Sequence, residues 1–159
     1  MDDDRISIDD LDLPTLLRIA STALLDDATG RVIERGFADL RTAHGHVVQH
    51  VVDGPRRVGD IAARMGVTQQ AVSKSLQELV RLGIVDLMVD PGDARARVAS
   101  LTPRGRSAIE EARRARAEVE HDLRDRHGAR RIATLRRVLV AELEARGLAA
   151  AIATRSIRA

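Results

Sequence analysis

The sequence predicts a mainly α-helical fold that carries one small β-hairpin. Three observations support this prediction. Two short helical patterns are separated by Gly66-Val67-Thr68, two β-branched runs flank Asp90-Pro91-Gly92-Asp93, and long amphipathic helical patterns lie at both ends of the chain. Two helices joined by a tight turn and followed by a hairpin are typical of a winged helix-turn-helix, which we place at residues 55–102.

The chain begins with an acidic segment, residues 1–10, that we expect to be disordered. Residues 11–54 are predicted to form N-terminal helices. Asp12 can cap the first of them and Pro14 suits its first turn, while leucines follow at steps of three and four residues up to Gly30 or Gly36. Thr42 can begin another helix, which Asp53-Gly54-Pro55 would end. We assign these helices to dimerisation and to the connection with residues 55–102.

The predicted helix-turn-helix contains two short helices. The first covers residues 58–65 and stops at Gly66, where the chain needs a positive φ. Thr68 can cap the second, which extends from about Gln69 to Leu82. Arg56 to Val58 is expected to add a short strand to the wing.

The second helix has two different faces. Steps of about 100° per residue place Val72, Leu76, Leu79 and Gly83 on one side. The opposite side is polar and free of carboxylates, which suits the major groove of duplex DNA, where glutamine reads adenine and lysine reads guanine. We predict that DNA contacts come from Gln69, Gln70, Ser73, Lys74 and Gln77, with Thr68 near a phosphate. A solvated helix face is the alternative interpretation.

The hairpin is predicted from two runs, residues 84–89 and 98–101, around the Asp-Pro-Gly-Asp turn. Arg95 and Arg97 lie near its tip, where an arginine can enter the minor groove or bind a phosphate. We expect Asp93 to support Arg95 through a charge-assisted hydrogen bond. The alternative is a charged hairpin that only maintains solubility.

These segments together resemble the MarR family of winged helix-turn-helix transcription regulators. The resemblance covers about the middle third of the chain. It depends on Asp60-Ile61-Ala62, Met65-Gly66-Val67-Thr68, Val72-Ser73-Lys74 with Leu76 and Leu79, Leu82-Gly83-Ile84-Val85, Asp90-Pro91-Gly92-Asp93-Ala94-Arg95, and Leu101-Thr102-Pro103 with Gly105.

The resemblance implies a homodimeric repressor that binds a pseudo-palindromic duplex site and is released by a small, often aromatic, effector. Such a pocket would lie near Phe37, Arg41 and His44; plain helix packing is the alternative there. Two other functions stay open. A winged-helix protein-interaction module would show no salt-dependent affinity for duplexes, and a nucleoid-type DNA-binding protein without an effector would show little sequence preference.

Residues 103–159 are predicted to form C-terminal dimerisation helices. Thr102-Pro103 opens the first of them, which continues to Gly128. A further helix carries Ile132, Leu135, Leu139 and Leu143 in one stripe and reaches Gly147. Because the small middle unit cannot cover these stripes, we expect a second copy to bury them. A monomeric bundle is the alternative.

Composition narrows the classes of function. The net charge is only +2, but residues 55–106 contain nine basic and five acidic residues, a surplus of four positive charges. An aromatic fraction of 1% argues against stacking of single-stranded nucleic acid. The lack of cysteine excludes disulfides and thiolate metal sites, and we find no catalytic motif. We therefore expect a cytoplasmic protein that is not an enzyme, needs no cofactor and has no membrane partner.

Three histidines form the one cluster that could bind a metal. His46 and His50 have the i, i+4 spacing that metals use, and His44 is near them. A third ligand would have to come from elsewhere, for example His121 or Glu120. We favour structural histidines and predict no metal site.

Overall fold

The computed structural model describes residues 7–153, in which helices predominate and three strands form one sheet. The winged helix-turn-helix predicted from the sequence is confirmed. The helices are α1 (Leu13–Glu34), α2 (Thr42–Val48), α3 (Val58–Met65), α4 (Gln69–Arg81), α5 (Pro103–His127), α6 (Ala129–Ala145) and α7 (Ala149–Ala153), and the strands are β1 (Arg56–Arg57), β2 (Val85–Asp90) and β3 (Asp93–Leu101).

The described part of the chain begins with a short helical turn. Residues Ile8–Asp10 form one turn of 3-10 helix, and the Ser7 hydroxyl accepts a hydrogen bond from the Asp9 N–H. A local side-chain cap orders the backbone of this exposed turn, and the disorder expected for residues 1–10 stays a prediction. Residues 1–6 lie outside the described part.

Helix α2 is shorter than the sequence predicts. It ends at Val48, and the next turns are tighter, with the His50 N–H bonded to the Val47 carbonyl and the Val51 N–H to the Val48 carbonyl. Val51 is only 1% exposed. Burial of this side chain thus determines the path of the chain before the breaker Asp53-Gly54-Pro55 is reached.

The wing is an antiparallel sheet with the strand order β1-β3-β2. A bulge lies between Val89 and Asp90, next to the turn. The Thr102 hydroxyl donates to the Gly83 carbonyl and caps α5 by accepting from the Gly105 N–H. Any Cβ on Gly105 would lie 2.1 Å from the Ile84 carbonyl oxygen, so α5 can leave the sheet at this angle only with glycine there.

An aliphatic core holds α3, α4 and the sheet together. Its most buried side chains, each less than 2% exposed, include Ile61, Leu76 and Leu79. The same core continues between α1 and α5 through small residues such as Ala28 and Ala115. These contacts fix α4 on the sheet and leave its outer face uncovered.

Ion pairs join α1 to α5 above this core. The Arg31 guanidinium bonds Asp27 at 3.0 Å and Asp122 at 2.5 Å, and Arg35 bonds Glu118 at 2.5 Å. Hydrogen bonds from the two arginines hold the pKa values of Glu118 and Asp122 below their usual range. The two helices are thus fixed in antiparallel alignment by charges as well as by packing.

We expect acid to weaken the fold through these carboxylates. Because their pKa values are lowered on folding, their contribution to the free energy of unfolding is complete above the ordinary values of 4.5 and 3.8 and is lost as the pH falls through the folded-state values. Urea unfolding measured on both sides of that window should show the decrease. Glu118→Gln should make the pH dependence shallower, and an unchanged dependence would exclude Glu118 as a source of it.

Apolar side chains are exposed on α6 and at the start of α1. Within the described residues, α6 contains no buried side chain, although Leu135, Leu139 and Leu143 recur along it. Leu13 and Leu17 are likewise exposed on the first turns of α1. No helix in residues 7–153 is both long enough and apolar enough to cross a membrane.

Candidate nucleic-acid interface

Helix α4 begins where the sequence predicts. Gly66 ends α3 in the left-handed conformation, with φ of 66°, and the Thr68 hydroxyl accepts a hydrogen bond from the Ala71 N–H at 3.2 Å. The side chain of Thr68 is exposed. Its position at the N-terminus of α4 suits contact with an anion.

The two faces of α4 differ as predicted. Val72, Leu76 and Leu79 are at most 1% exposed. The residues predicted to contact DNA lie on the outer face, where Ser73 is half-buried and the others are exposed: Gln69, Gln70, Lys74 and Gln77. This face offers amide and ammonium donors to a ligand without a carboxylate between them.

The one carboxylate of α4 is bonded to the α2 segment of the chain. The Glu78 carboxylate accepts from the Arg41 guanidinium at 2.5 Å and lies 3.3 Å from the His44 Nε2. The pKa of Glu78 is lowered, mainly by the hydrogen bond to His44 and further by the charge of Arg41. This link between α2 and α4 was not predicted, because the residues are 37 and 34 positions apart.

His44 has a defined role in this link. Its Nδ1 accepts a hydrogen bond from the Arg41 N–H at 3.2 Å and so helps cap α2. Because a backbone N–H only donates and a carboxylate only accepts, the proton of His44 belongs on Nε2, which faces Glu78. His50 is buried and His46 is exposed, and among residues 7–153 no group of three or more potential metal ligands was found.

At the wing, the hydrogen bond between Asp93 and Arg95 differs from the predicted one. Arg95 and Arg97 are exposed near the tip, as expected. The Asp93 carboxylate, however, accepts from the backbone N–H of Arg95 at 3.0 Å rather than from its guanidinium. A residue at the start of a turn commonly bonds the N–H two positions later, and this local bond wins over a longer side-chain pair.

Two further residues at the wing were missed by the sequence analysis. The Asp90 carboxylate accepts from the Gly92 N–H at 2.7 Å and from the Arg57 Nε at 2.6 Å. Both bonds lower the pKa of Asp90, and the bond from Gly92 has the larger effect. The Asp-Pro-Gly sequence could have indicated the first bond. No local pattern indicates the second, since Arg57 is 33 residues away.

A cavity of about 210 Å³ lies between α1, α2 and α5. Arg41 and His44 line it, as the predicted effector pocket requires. Phe37, the third residue predicted near an effector pocket, is not among the residues that line this cavity. Its ring is buried and lies under the Arg104 guanidinium, 4.9 Å from the ring centroid, because a cation over the ring face is favourable.

Helices α3 and α4, joined by a tight turn and followed by the three-stranded wing, define a winged helix-turn-helix protein. The model of the MarR family matches residues 38–96, which contain α2, the two short helices and most of the wing. The resemblance found in the sequence is thereby confirmed over this segment. No curated protein sequence gives a significant match.

Solved structures match over most of the chain. RV1404 from Mycobacterium tuberculosis is 21% identical with a TM-score of 0.69, and the match covers 89% of this chain and 95% of that one. Wild-type MarR from E. coli in its apo form is 19% identical with a TM-score of 0.67, covering 84% and 97%. YusO from Bacillus subtilis is 20% identical with a TM-score of 0.64, covering 88% and 99%. The fold of this chain is therefore the MarR winged-helix fold.

Proposed function

We propose that this protein is a sequence-specific, duplex-DNA-binding transcriptional regulator. The observation that carries the proposal is the outer face of α4, where exposed Gln70, Lys74 and Gln77 stand on a rigidly packed helix. A helix of this kind fits the major groove, and Arg95 on the wing is placed to reach the adjacent backbone or minor groove. The surplus of positive charge in residues 55–106 supports the same partner.

The regulator acts as a homodimer in this proposal. The uncovered apolar stripe of α6 and the exposed leucines of α1 need a partner, and a second copy supplies both at once. Two-fold symmetry then presents two α4 helices to two half-sites about one turn of DNA apart. Repression follows if the bound dimer obstructs polymerase.

A small aromatic effector would release the repressor by occupying the cavity between α1, α2 and α5. The cavity is lined mainly by apolar side chains together with Arg41, Arg113 and Arg116, so it suits an aromatic ring that bears an acidic group. Arg41 and His44 both line it and both contact Glu78 of α4. A ligand that changes these contacts changes the position of the reading helix, provided that it binds the two positions with different affinity.

A titration of duplex DNA over a range of salt concentrations tests the proposed class. We expect affinity to fall steeply with salt, and Arg95→Ala to weaken binding and lower the slope of log K against log salt by about 0.9 for each phosphate that the variant no longer neutralises. Wild-type binding without salt dependence would contradict DNA recognition. If only Arg95→Ala left affinity and slope unchanged, the wing arginine would have no part in it.

The effector is tested separately by adding small aromatic acids to the preformed protein–DNA complex. We expect at least one to release the duplex from the wild type and to be inactive on Ala112→Leu, which reduces the cavity without touching α4. Binding of such an acid is detected by a rise in the melting temperature of the protein. If the acids that bind never changed DNA affinity, the coupling between the cavity and DNA binding would be refuted.

A further inference from the structure

A guanidinium from outside the hairpin lies at the tip of the wing. Arg57 belongs to β1, and β3 separates that strand from β2. Arg57 is paired with Val98 in the register, so the two side chains share one face of the sheet. From there the Arg57 side chain crosses β3 and bonds Asp90 at 2.6 Å, and a terminal nitrogen lies 4.0 Å from where a Cβ on Gly92 would be.

Asp90 fixes the orientation of this guanidinium. One oxygen of its carboxylate is bonded to the Gly92 N–H and the other to the Arg57 Nε, so the carboxylate cannot turn freely. The side chain of Asp90 is only 12% exposed, whereas that of Arg57 is 50% exposed. The ion pair therefore lies at the surface with its arginine outward.

The Arg57 guanidinium still has donors to offer. An arginine carries five N–H donors in a rigid plane, and the pair with Asp90 uses the one on Nε. The four N–H donors on its two terminal nitrogens form no hydrogen bond with residues 7–153. A planar pair of outward N–H groups matches the oxygens of a phosphate.

We propose that Arg57, held in place by Asp90, is a third arginine of the wing that binds a DNA backbone phosphate beside Arg95 and Arg97. The proposal rests on the DNA-binding function proposed above. It adds a contact from β1, a strand that the sequence analysis included only as a support for the sheet. Asp90 is a positioning residue, which acts through Arg57 and does not touch the DNA.

Duplex affinity and its salt dependence test this proposal in three variants. Arg57→Ala should weaken binding about tenfold for each half-site, and it should lower the steepness of the salt dependence of the dimer by about 1.8, the value for one phosphate in each half-site. Arg57→Lys keeps the charge, so the slope should stay near that of the wild type while binding weakens in part. Asp90→Asn should also weaken binding, although it removes a negative charge from the DNA-facing surface.

The Asp90→Asn variant is decisive because general electrostatics and the positioning of Arg57 predict opposite changes in duplex affinity. Asp86→Asn is the matched control, since Asp86 is an exposed carboxylate on the same strand. General electrostatics predicts tighter binding for both variants, whereas positioning predicts tighter or equal binding for Asp86→Asn and weaker binding for Asp90→Asn.

Tighter binding by both variants, or wild-type affinity and slope in Arg57→Ala, would overturn the proposal. If Arg57→Ala does not fold, as judged by circular dichroism, the comparison of Asp90→Asn with Asp86→Asn decides alone. If the wild type itself shows no salt-dependent binding of duplexes, the proposed function fails, and the inference about Arg57 fails with it.

Discussion

Lys74→Ala combined with Gln70→Ala should abolish discrimination between the operator and unrelated duplexes. Both side chains are exposed on the outer face of α4, and each is expected to contact a base edge. Removal of one base-reading side chain costs about 1–3 kcal/mol. Because a dimer is affected in both half-sites, each single variant should bind its site about 30-fold more weakly or worse. Competition binding with operator and scrambled duplexes measures both quantities.

The controls separate base recognition from general charge. Arg114→Ala removes one positive charge on α5, outside the winged helix-turn-helix, and should leave the ratio of specific to non-specific affinity unchanged. The melting temperature should also be unchanged in the α4 variants, since neither side chain is buried. Full discrimination by the double variant would show that α4 is not the reading helix.

Leu139→Arg should convert the dimer to a monomer. Leu139 is in the middle of the uncovered stripe of α6, with Leu135 and Leu143 one turn away on either side. In a symmetric interface the substitution places two unpaired charges in an apolar contact, which costs several kcal/mol for each. Sedimentation should show the mass of one chain, 17.3 kDa, instead of twice that value. Operator affinity should fall with it, because only one half-site is bound.

Ala141→Arg is the matched control for this variant. It introduces the same side chain on the same helix, about 180° from Leu139, on a face that is also exposed. It should leave the mass and the operator affinity of the dimer intact. A wild type that sediments as a monomer at micromolar concentration, or a Leu139→Arg variant that stays dimeric, would contradict the assignment of α6 to the interface.

The sequence predicts the local features of this fold well. Gly66 and Thr68 mark the boundary between two helices because a left-handed stop and a hydroxyl cap act within a few residues. The buried stripe Val72, Leu76 and Leu79 follows from periodicity alone. The wing follows from Asp90-Pro91-Gly92-Asp93, whose turn chemistry is also local.

Contacts between distant segments could not be predicted in the same way. The bonds of Glu78 to Arg41 and of Asp90 to Arg57 join surface-type residues that no periodicity distinguishes from solvated ones. The early end of α2 and the position of Phe37 under Arg104 depend on tertiary packing. Each of these features became visible only after the elements were placed in space.

Selection of duplexes from a random pool by the purified protein tests the central claim most directly. We predict enrichment of an inverted repeat with half-site centres about one helical turn apart, as two symmetric α4 helices require. Recovery of no enriched sequence would contradict sequence-specific reading by α4, and recovery of a single unrepeated site would contradict the symmetric dimer.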